Sequence, residues 1–267
     1  MRDRAVNFIT RFYLLLIFLF LYSPIAVLMV LSFNDSRSRV VWGGFTLKWY
    51  ERMFTSSHIT DALVTTLALA FFASLLAVLI GFPASFGICM LRRSGRSVMM
   101  TLVNIPLLDA DIVTGISMML FFMRFMELSF SSVLIAHTVF CIPYVILALM
   151  PRVEAVDWTP YESALDLGAT QPYAFLRMVM PQLYSGIISG FFMSLTMSMD
   201  DFAITYFTKG AGVNTLSTMI YGEIRKGIKP ELYALSTVIF MAVLILLLAV
   251  NVATRKKGGE TGEGRAY

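Results

Sequence analysis

The sequence predicts an all-α integral membrane protein with six transmembrane helices, and three observations carry that prediction. Only 14% of the 267 residues are charged and 58% are hydrophobic, with a mean hydropathy of +0.76, whereas soluble domains carry roughly 25% charged residues. Charge-free runs long enough to cross a bilayer as a helix, about 20 residues, recur along the chain. The basic residues sit in short clusters between those runs instead of along one face. A chain so poor in polar surface is not a soluble enzyme, a disordered segment or a nucleic-acid-binding domain. Its net charge of +4 reads as membrane orientation.

In chain order, the expected spans are about 12–33, 62–91, 98–123, 128–150, 183–206 and 232–254. They form one membrane domain, 12–254, between an N-terminal tail, 1–11, and a Gly-rich, charged tail, 255–267, expected to be disordered. The first span follows Arg2, Arg4 and Arg11, but it exceeds a signal-peptide apolar core and lacks a small-x-small cleavage site. It reads as a retained signal anchor. The third span contains Asp109 and Asp111, which must face protein or a water-filled path. An even number of spans puts both termini on one side. If that side is the cytoplasm it receives twelve of the 21 Lys and Arg residues, including Arg92, Arg93 and Arg96 in one tight loop and 255–257 after the last span. The expected orientation is therefore N-in and C-in.

Chemistry-bearing motifs are scarce. Cys89 lies near one end of the second span and Cys141 inside the fourth, so neither a disulfide nor a zinc site is expected. His137 and Cys141 stand four apart on one helical face, which reads as a packed apolar face and not as a ligand pair. His58, in the first outer loop, reads as solvated. No GxxxxGK[ST], GxSxG or HExxH pattern occurs, so no enzyme and no cofactor is expected. Trp42, Trp49, Tyr50 and Tyr221 read as an interfacial belt. The 18 methionines read as flexible fillers of helix interfaces.

The segment 151–182, between the fourth and fifth spans, is the most informative soluble stretch. Thr159 can cap a helix with Pro160 at its first position, and Glu162 can close a capping box. The spacing predicts a helix over 160–167, stopped by Gly168 in the left-handed conformation. Thr170 can cap a second helix, with Pro172 in its first turn, ending near Pro181. Tyr161 and Leu165 would share a face toward the cytoplasm, a shape suited to another protein's groove.

Glu162-Ser163-Ala164, then Gly168, then Met178-Val-Met-Pro181 is similar to the EAA loop of bacterial ABC importer permeases, E-A-A-x3-G-x9-I-x-L-P. Ser163 departs from the alanine, and Met178 and Met180 from the aliphatic pair, with size and apolarity kept. Tyr22-Ser-Pro-Ile, Ser32-Phe-Asn-Asp-Ser-Arg37, Gly44-Phe-Thr-Leu-Lys-Trp-Tyr50, Ser198-Met-Asp-Asp-Phe202 and 220–231 narrow the match. Over about 13–254 the chain resembles the PotC-type permeases of spermidine/putrescine ABC importers. That resemblance implies a type I importer permease fold in the bacterial cytoplasmic membrane and pairing with a second, related permease. It further implies a cytoplasmic ATP-binding dimer docked on the EAA helices at Tyr161, Glu162, Ala164, Leu165, Gly168 and Pro181, and an extracytoplasmic polyamine-binding protein. ATP would be bound by the partner and not by this chain.

The acids within the spans are candidate pathway residues. At 100° per residue Gly186, Gly190, Ser194, Ser198, Asp201 and Thr205 fall along one face of the fifth helix, with Asp200 about 100° away. Two readings stand: Asp201, with Asp200 and the hydroxyls, offers acceptors to a polycation, or the stripe packs on a neighbouring helix and the acids cap a helix end. Asp109 and Asp111 fall on nearly opposite faces unless the helix breaks, which Pro106 favours. The resembling family has Pro-Asp-Ile where this chain has Ala110-Asp111-Ile112, so Asp111 is the matching acid, read as a pathway or gate residue or else a buried hydrogen-bonded carboxyl, and Asp109 is a departure, read as protonated or paired. Two alternatives remain: a permease for iron, thiamine, phosphonate or sulfate, with the acids favouring a cation, or a membrane scaffold or channel without an ATPase.

Overall fold

The computed structural model describes residues 2–36, 40–227, 229–241 and 244–245. The backbone divides into two compact units, one of residues up to Ile59 together with those from Gly222 onward, the other Thr60–Tyr221. Among the described residues its elements are helices, and the single strand-like contact is an antiparallel bridge between Asn34 and Phe45.

In the first unit α1 (Arg2–Ser32) begins within the expected tail and runs through Pro24. After it the chain turns around Asn34, whose Oδ1 accepts the backbone N–H groups of Ser36 (3.1 Å) and Gly43 (2.8 Å) while Nδ2 donates to Val41 O (2.9 Å). The turn leads into α2 (Lys48–Thr55). Trp49, expected in an interfacial belt, is instead buried there and donates its indole N–H to Asn34 O (2.7 Å). Tyr50 pairs with Ser32 Oγ at 2.7 Å. After α11 (Leu216–Lys226) comes α12 (Pro230–Met241). It covers the start of the expected sixth span; of the rest only 244–245 are described, and the tail 255–267 lies outside the described residues.

The second unit takes in α3 (Ser57–Met90) from Thr60 on, α4 (Arg93–Leu108), α5 (Asp111–Phe125) and α6 (Phe130–Glu154). A 3.6-residue repeat puts every fourth residue nearly on one face. On α6 Val133, His137, Cys141, Val145, Leu149 and Val153 form such a row and all are buried. It packs on the matching row Gly186, Gly190, Ser194 and Ser198 of α9 (Met180–Asp200), also buried. Gly190 makes the approach possible: a Cβ there would lie 3.4 Å from Val145 Cα. The stripe on the fifth helix is thus a ridge-into-groove interface, the packing reading of its glycines and serines. Four helical segments among the described residues are long and apolar enough to span a membrane, five if α4 and α5 count as one.

Three expected elements differ in the structure. The third span is not one rod: α4 and α5 meet at a 100° bend. Pro106 is accommodated in the last turn of α4, and the break falls at Asp109 and Ala110. Asp109 there accepts Ala110 N–H (2.9 Å) and the Thr114 hydroxyl (3.2 Å), so its carboxylate competes with the helix for backbone donors. The fifth span breaks at Asp201 and Phe202 before α10 (Ala203–Thr208). The helix expected to end at Pro181 continues: α8 (Gln171–Ala174), a π turn (Phe175–Val179) and α9 form one 30-residue helix. Proline cannot donate to the residue four back, and the wider π register, with Met180 N–H bonded to Phe175 O, absorbs that loss.

Candidate functional site

The two breaks meet. The N-terminus of α5, which begins at Asp111, and the 200–203 corner between α9 and α10 line a cavity of about 640 Å³. Asp111, Asp200 and Asp201 lie in its wall, and no Lys or Arg is among the described lining residues. Asp111 sits in the first turn of α5, where the unpaired N–H groups favour negative charge. Asp201 caps α10: its Oδ2 accepts Thr205 N–H (2.8 Å) and the Thr205 hydroxyl (2.9 Å), and Oδ1 accepts Ile204 N–H (3.2 Å).

Aromatic rings supply much of the remaining wall. Phe202, Tyr206 and Tyr221 form a cluster with ring centroids 4.5 to 5.7 Å apart, and Phe140 and Tyr144 pair at 5.3 Å. Tyr221 therefore belongs to the cavity instead of an interfacial belt. Negative charges beside π faces are the surroundings that bind an ammonium group, by Coulomb attraction and by the ring quadrupole.

Of the sequence-predicted pathway residues, Asp111, Asp200 and Asp201 reach this cavity. Ser194, Ser198 and Thr205 do not: they are buried in the interfaces of α6 with α9 and α10. Asp109 stays on the α4 side of the bend and is absent from the lining. His137 is not part of an apolar face. It is fully buried, with Nδ1 2.7 Å from Ser198 Oγ and Nε2 2.8 Å from Thr205 Oγ1. Tyr144 and Tyr206 had no role in the sequence reading, which misplaced Tyr221 and His137; Tyr206, one turn after Phe202 and the Asp200-Asp201 pair, was the available signal.

The 151–182 segment is a knuckle. Its helix α7 (Thr159–Asp166) starts one residue earlier than expected and lacks the Thr159 capping box. Instead Asp157 Oδ1 accepts Thr159 N–H at 3.0 Å, and that bond holds the Asp157 carboxyl below its ordinary pKa of 3.8. Gly168 has φ +87°, and the bonds from Gly168 N–H to Leu165 O (2.9 Å) and from Ala169 N–H to Ala164 O (3.0 Å) form a Schellman stop. The predicted outward face is corrected. Tyr161 turns inward onto the Val153, Val156, Val179 and Leu183 cluster, Leu165 is half-buried and Ala164 is buried. The outer face carries Glu162, Ser163, Asp166 and Leu167, whose side chain is 89% exposed. Pro181 lies in the first turn of α9, away from that face.

Two clasps tie the knuckle to the spans. Gln182 accepts Asp157 N–H (3.0 Å) and donates to Asp157 O (3.0 Å) and Met178 O (2.9 Å). Arg96 and Glu154 form an ion pair between α4 and the end of α6.

Comparison with known proteins identifies this arrangement. Across 250 residues the chain is 31% identical to the spermidine/putrescine transport system permease protein PotC of Haemophilus influenzae, covering 93% of this chain and 97% of that one. It belongs to the spermidine/putrescine ABC importer permeases. The Escherichia coli K12 PotC is 32% identical over 249 residues, covering 92% and 94% of the two chains. The putrescine permease PotI of the same organism is 32% identical over 241 residues, covering 87% and 86%. Proteins of this family are transport subunits and not enzymes. The chain is accordingly a multi-pass membrane protein and an ABC importer permease subunit. Among solved structures, a bacterial ABC transporter involved in the import of the acidic polysaccharide alginate matches with TM-score 0.66 at 13% identity, covering 96% and 97% of the chains. An amino acid ABC transporter matches with TM-score 0.53 at 18% identity, covering 77% and 98%. These two share the fold. No family model matches the chain.

Proposed function

We propose that this permease subunit carries polyamines, spermidine or putrescine, through the cavity between its two helix breaks. The observation that supports this is the lining itself: Asp111, Asp200 and Asp201 with Tyr144, Phe202, Tyr206 and Tyr221, and no Lys or Arg among them. A di- or triammonium chain satisfies several carboxylates at once while its methylenes lie against rings. Sulfate or phosphonate would meet three like charges. The Thr205 hydroxyl supports Asp201 directly and Ser198 does so through His137, whereas the Ser194 hydroxyl bonds the Gly190 carbonyl within its own helix.

The path is completed by a second, related permease, and an extracytoplasmic polyamine-binding protein delivers the cargo to the outer loops. A cytoplasmic ATP-binding dimer grips α7, where Glu162 and Leu167 are exposed and Tyr161, Ala164 and Leu165 anchor the helix to its own bundle. Gly168 sets the turn, and Pro181 begins the span that carries motion away from it. Closure of the ATP-bound dimer pulls α7; the Gln182 clasp passes the pull to α9, whose far end holds Asp200 at the cavity. The chain crosses the bacterial cytoplasmic membrane six times, N-in and C-in, and binds no nucleotide itself.

The test is ATP-dependent uptake by proteoliposomes holding the complete importer. Radiolabelled putrescine or spermidine should accumulate, unaffected by excess sulfate or thiamine. Uptake of one of those competitors without polyamine uptake refutes the assignment. Failure of the chain to co-purify with an ATP-binding subunit would make it a scaffold or channel.

A further inference from the structure

We infer that His137 is a positioning residue that pins the broken helix and holds Asp201 at the cavity wall. The inference rests on the reading of that cavity as the cation site, and it concerns a side chain that does not line it. Every other member of the α6 row is aliphatic or a thiol: Val133, Cys141, Val145, Leu149 and Val153. The one imidazole stands opposite the discontinuity at Asp201 and Phe202. It bonds Ser198 on the α9 side at 2.7 Å and Thr205 on the α10 side at 2.8 Å. Its Nε2 also lies 3.4 Å from Asp201 Oδ2.

Counting hydrogens orients the chain of bonds. The Thr205 hydroxyl donates its single proton to Asp201 Oδ2 (2.9 Å), so it must accept from His137 Nε2–H. In the neutral ring Nδ1 then accepts from the Ser198 hydroxyl. Donors thus run from Ser198 through His137 and Thr205 to Asp201. Where two helices part, the backbone ladder no longer fixes their relative direction, and the imidazole supplies that link from a third helix. Oδ2 is saturated by this chain and by Thr205 N–H, whereas Oδ1 has one backbone donor at 3.2 Å. The ring therefore decides which carboxylate oxygen retains capacity for an ammonium group.

A core histidine of purely structural use would lower the amount of assembled transporter and its Vmax while leaving KM unchanged. Two readouts in the complete reconstituted importer separate the cases. The first is the KM for radiolabelled spermidine in His137→Leu, His137→Asn and His137→Gln. Leu removes both bonds, Asn reaches only toward Ser198, and Gln reaches toward Thr205. The expected order is a rise of about tenfold for Leu, the scale of one lost buried hydrogen bond, an intermediate rise for Asn, and recovery toward wild type in Gln. If Leu fails to assemble, the contrast of Asn with Gln decides. The second readout does not depend on transport. With Cys89 and Cys141 replaced by alanine, a cysteine at Ala203, in the cavity wall, should react faster with a membrane-impermeant thiol reagent in His137→Leu than with His137 intact.

Where Asp201→Asn is impaired, unchanged KM in all three variants, or a uniform loss of Vmax alone, overturns the inference; an unaltered labelling rate at position 203 overturns it in either case. Asp201→Asn is measured beside them. If Asp201→Asn transports normally while labelling still responds to His137→Leu, the cation-site reading falls and the pin stands. If Asp201→Asn is impaired and His137→Leu is not, the pin falls and the site stands.

Discussion

Replacing Gly168 by valine perturbs the knuckle without touching a packed surface. A Cβ at this position would meet nothing within 4 Å, so the whole effect is conformational. With φ at +87° an L-residue costs about 1 to 2 kcal/mol, and a β-branched one lies at the upper end or beyond. If the chain relieves that strain by leaving the left-handed region, it gives up the bonds of 2.9 and 3.0 Å that stop α7, about 1 kcal/mol each. Either outcome is worth a factor of ten or more in the population of the correctly angled α7, since about 1.4 kcal/mol is tenfold. The spans are untouched, so membrane yield should remain near wild type. In proteoliposomes with the partner subunits, the ratio of polyamine taken up to ATP hydrolysed should fall about tenfold or more. Gly168→Asn, which tolerates positive φ, should keep most of the ratio. Normal coupling in Gly168→Val, or equal damage from Asn and Val, would refute the reasoning.

Other perturbations follow from contacts already described. Gly210→Ala places a Cβ 1.8 Å from Leu128 O, backbone against backbone, so the variant should lose thermal stability and membrane yield. Gln182→Ala breaks the clasp to Asp157 and should lower uptake per ATP while leaving the KM for spermidine unchanged, which steady-state uptake kinetics will read. Asp111→Asn should raise the spermidine KM, and Asp109→Asn should not, because only the former lines the cavity. Asp157, held below 3.8 by Thr159 N–H, supports the start of α7 fully above its unfolded pKa and loses that support as pH falls through the folded one. The protection factor of the amides in the first turn of α7, exchange corrected for its intrinsic pH dependence, should accordingly fall only in acid and stay flat through neutrality.

That the chain is all-helical with several membrane-spanning segments, though not how those segments bend, was legible because it depends on counting apolar residues, a local property. The glycine stop at Gly168 was legible for the same reason: only one residue type occupies φ +87° cheaply. What escaped depended on partners distant in sequence. A break between Asp109 and Asp111 was legible, but its cause was not: Pro106 is absorbed in the last turn of α4, and it is Asp109 that offers its backbone an alternative acceptor. Pro181 looked like a stop, but one π turn carries the helix past it. Thr205 extrapolated onto the α9 stripe as though the helix were continuous, and Tyr161 was assigned outward because nothing local reveals the cluster beneath it. His137 read as core because its partners, Ser198 and Thr205, lie 61 and 68 residues away.

The central claim is that a polycation passes between the two helix breaks, and the most direct measurement is photo-crosslinking of the complete importer with an azide-bearing spermidine analogue, the adducts located by mass spectrometry. Adducts should fall on Tyr144, Phe202, Tyr206 and Tyr221, disappear with excess spermidine and diminish in Asp111→Asn. Adducts confined to other faces of the chain, or undiminished by competing spermidine, would contradict it.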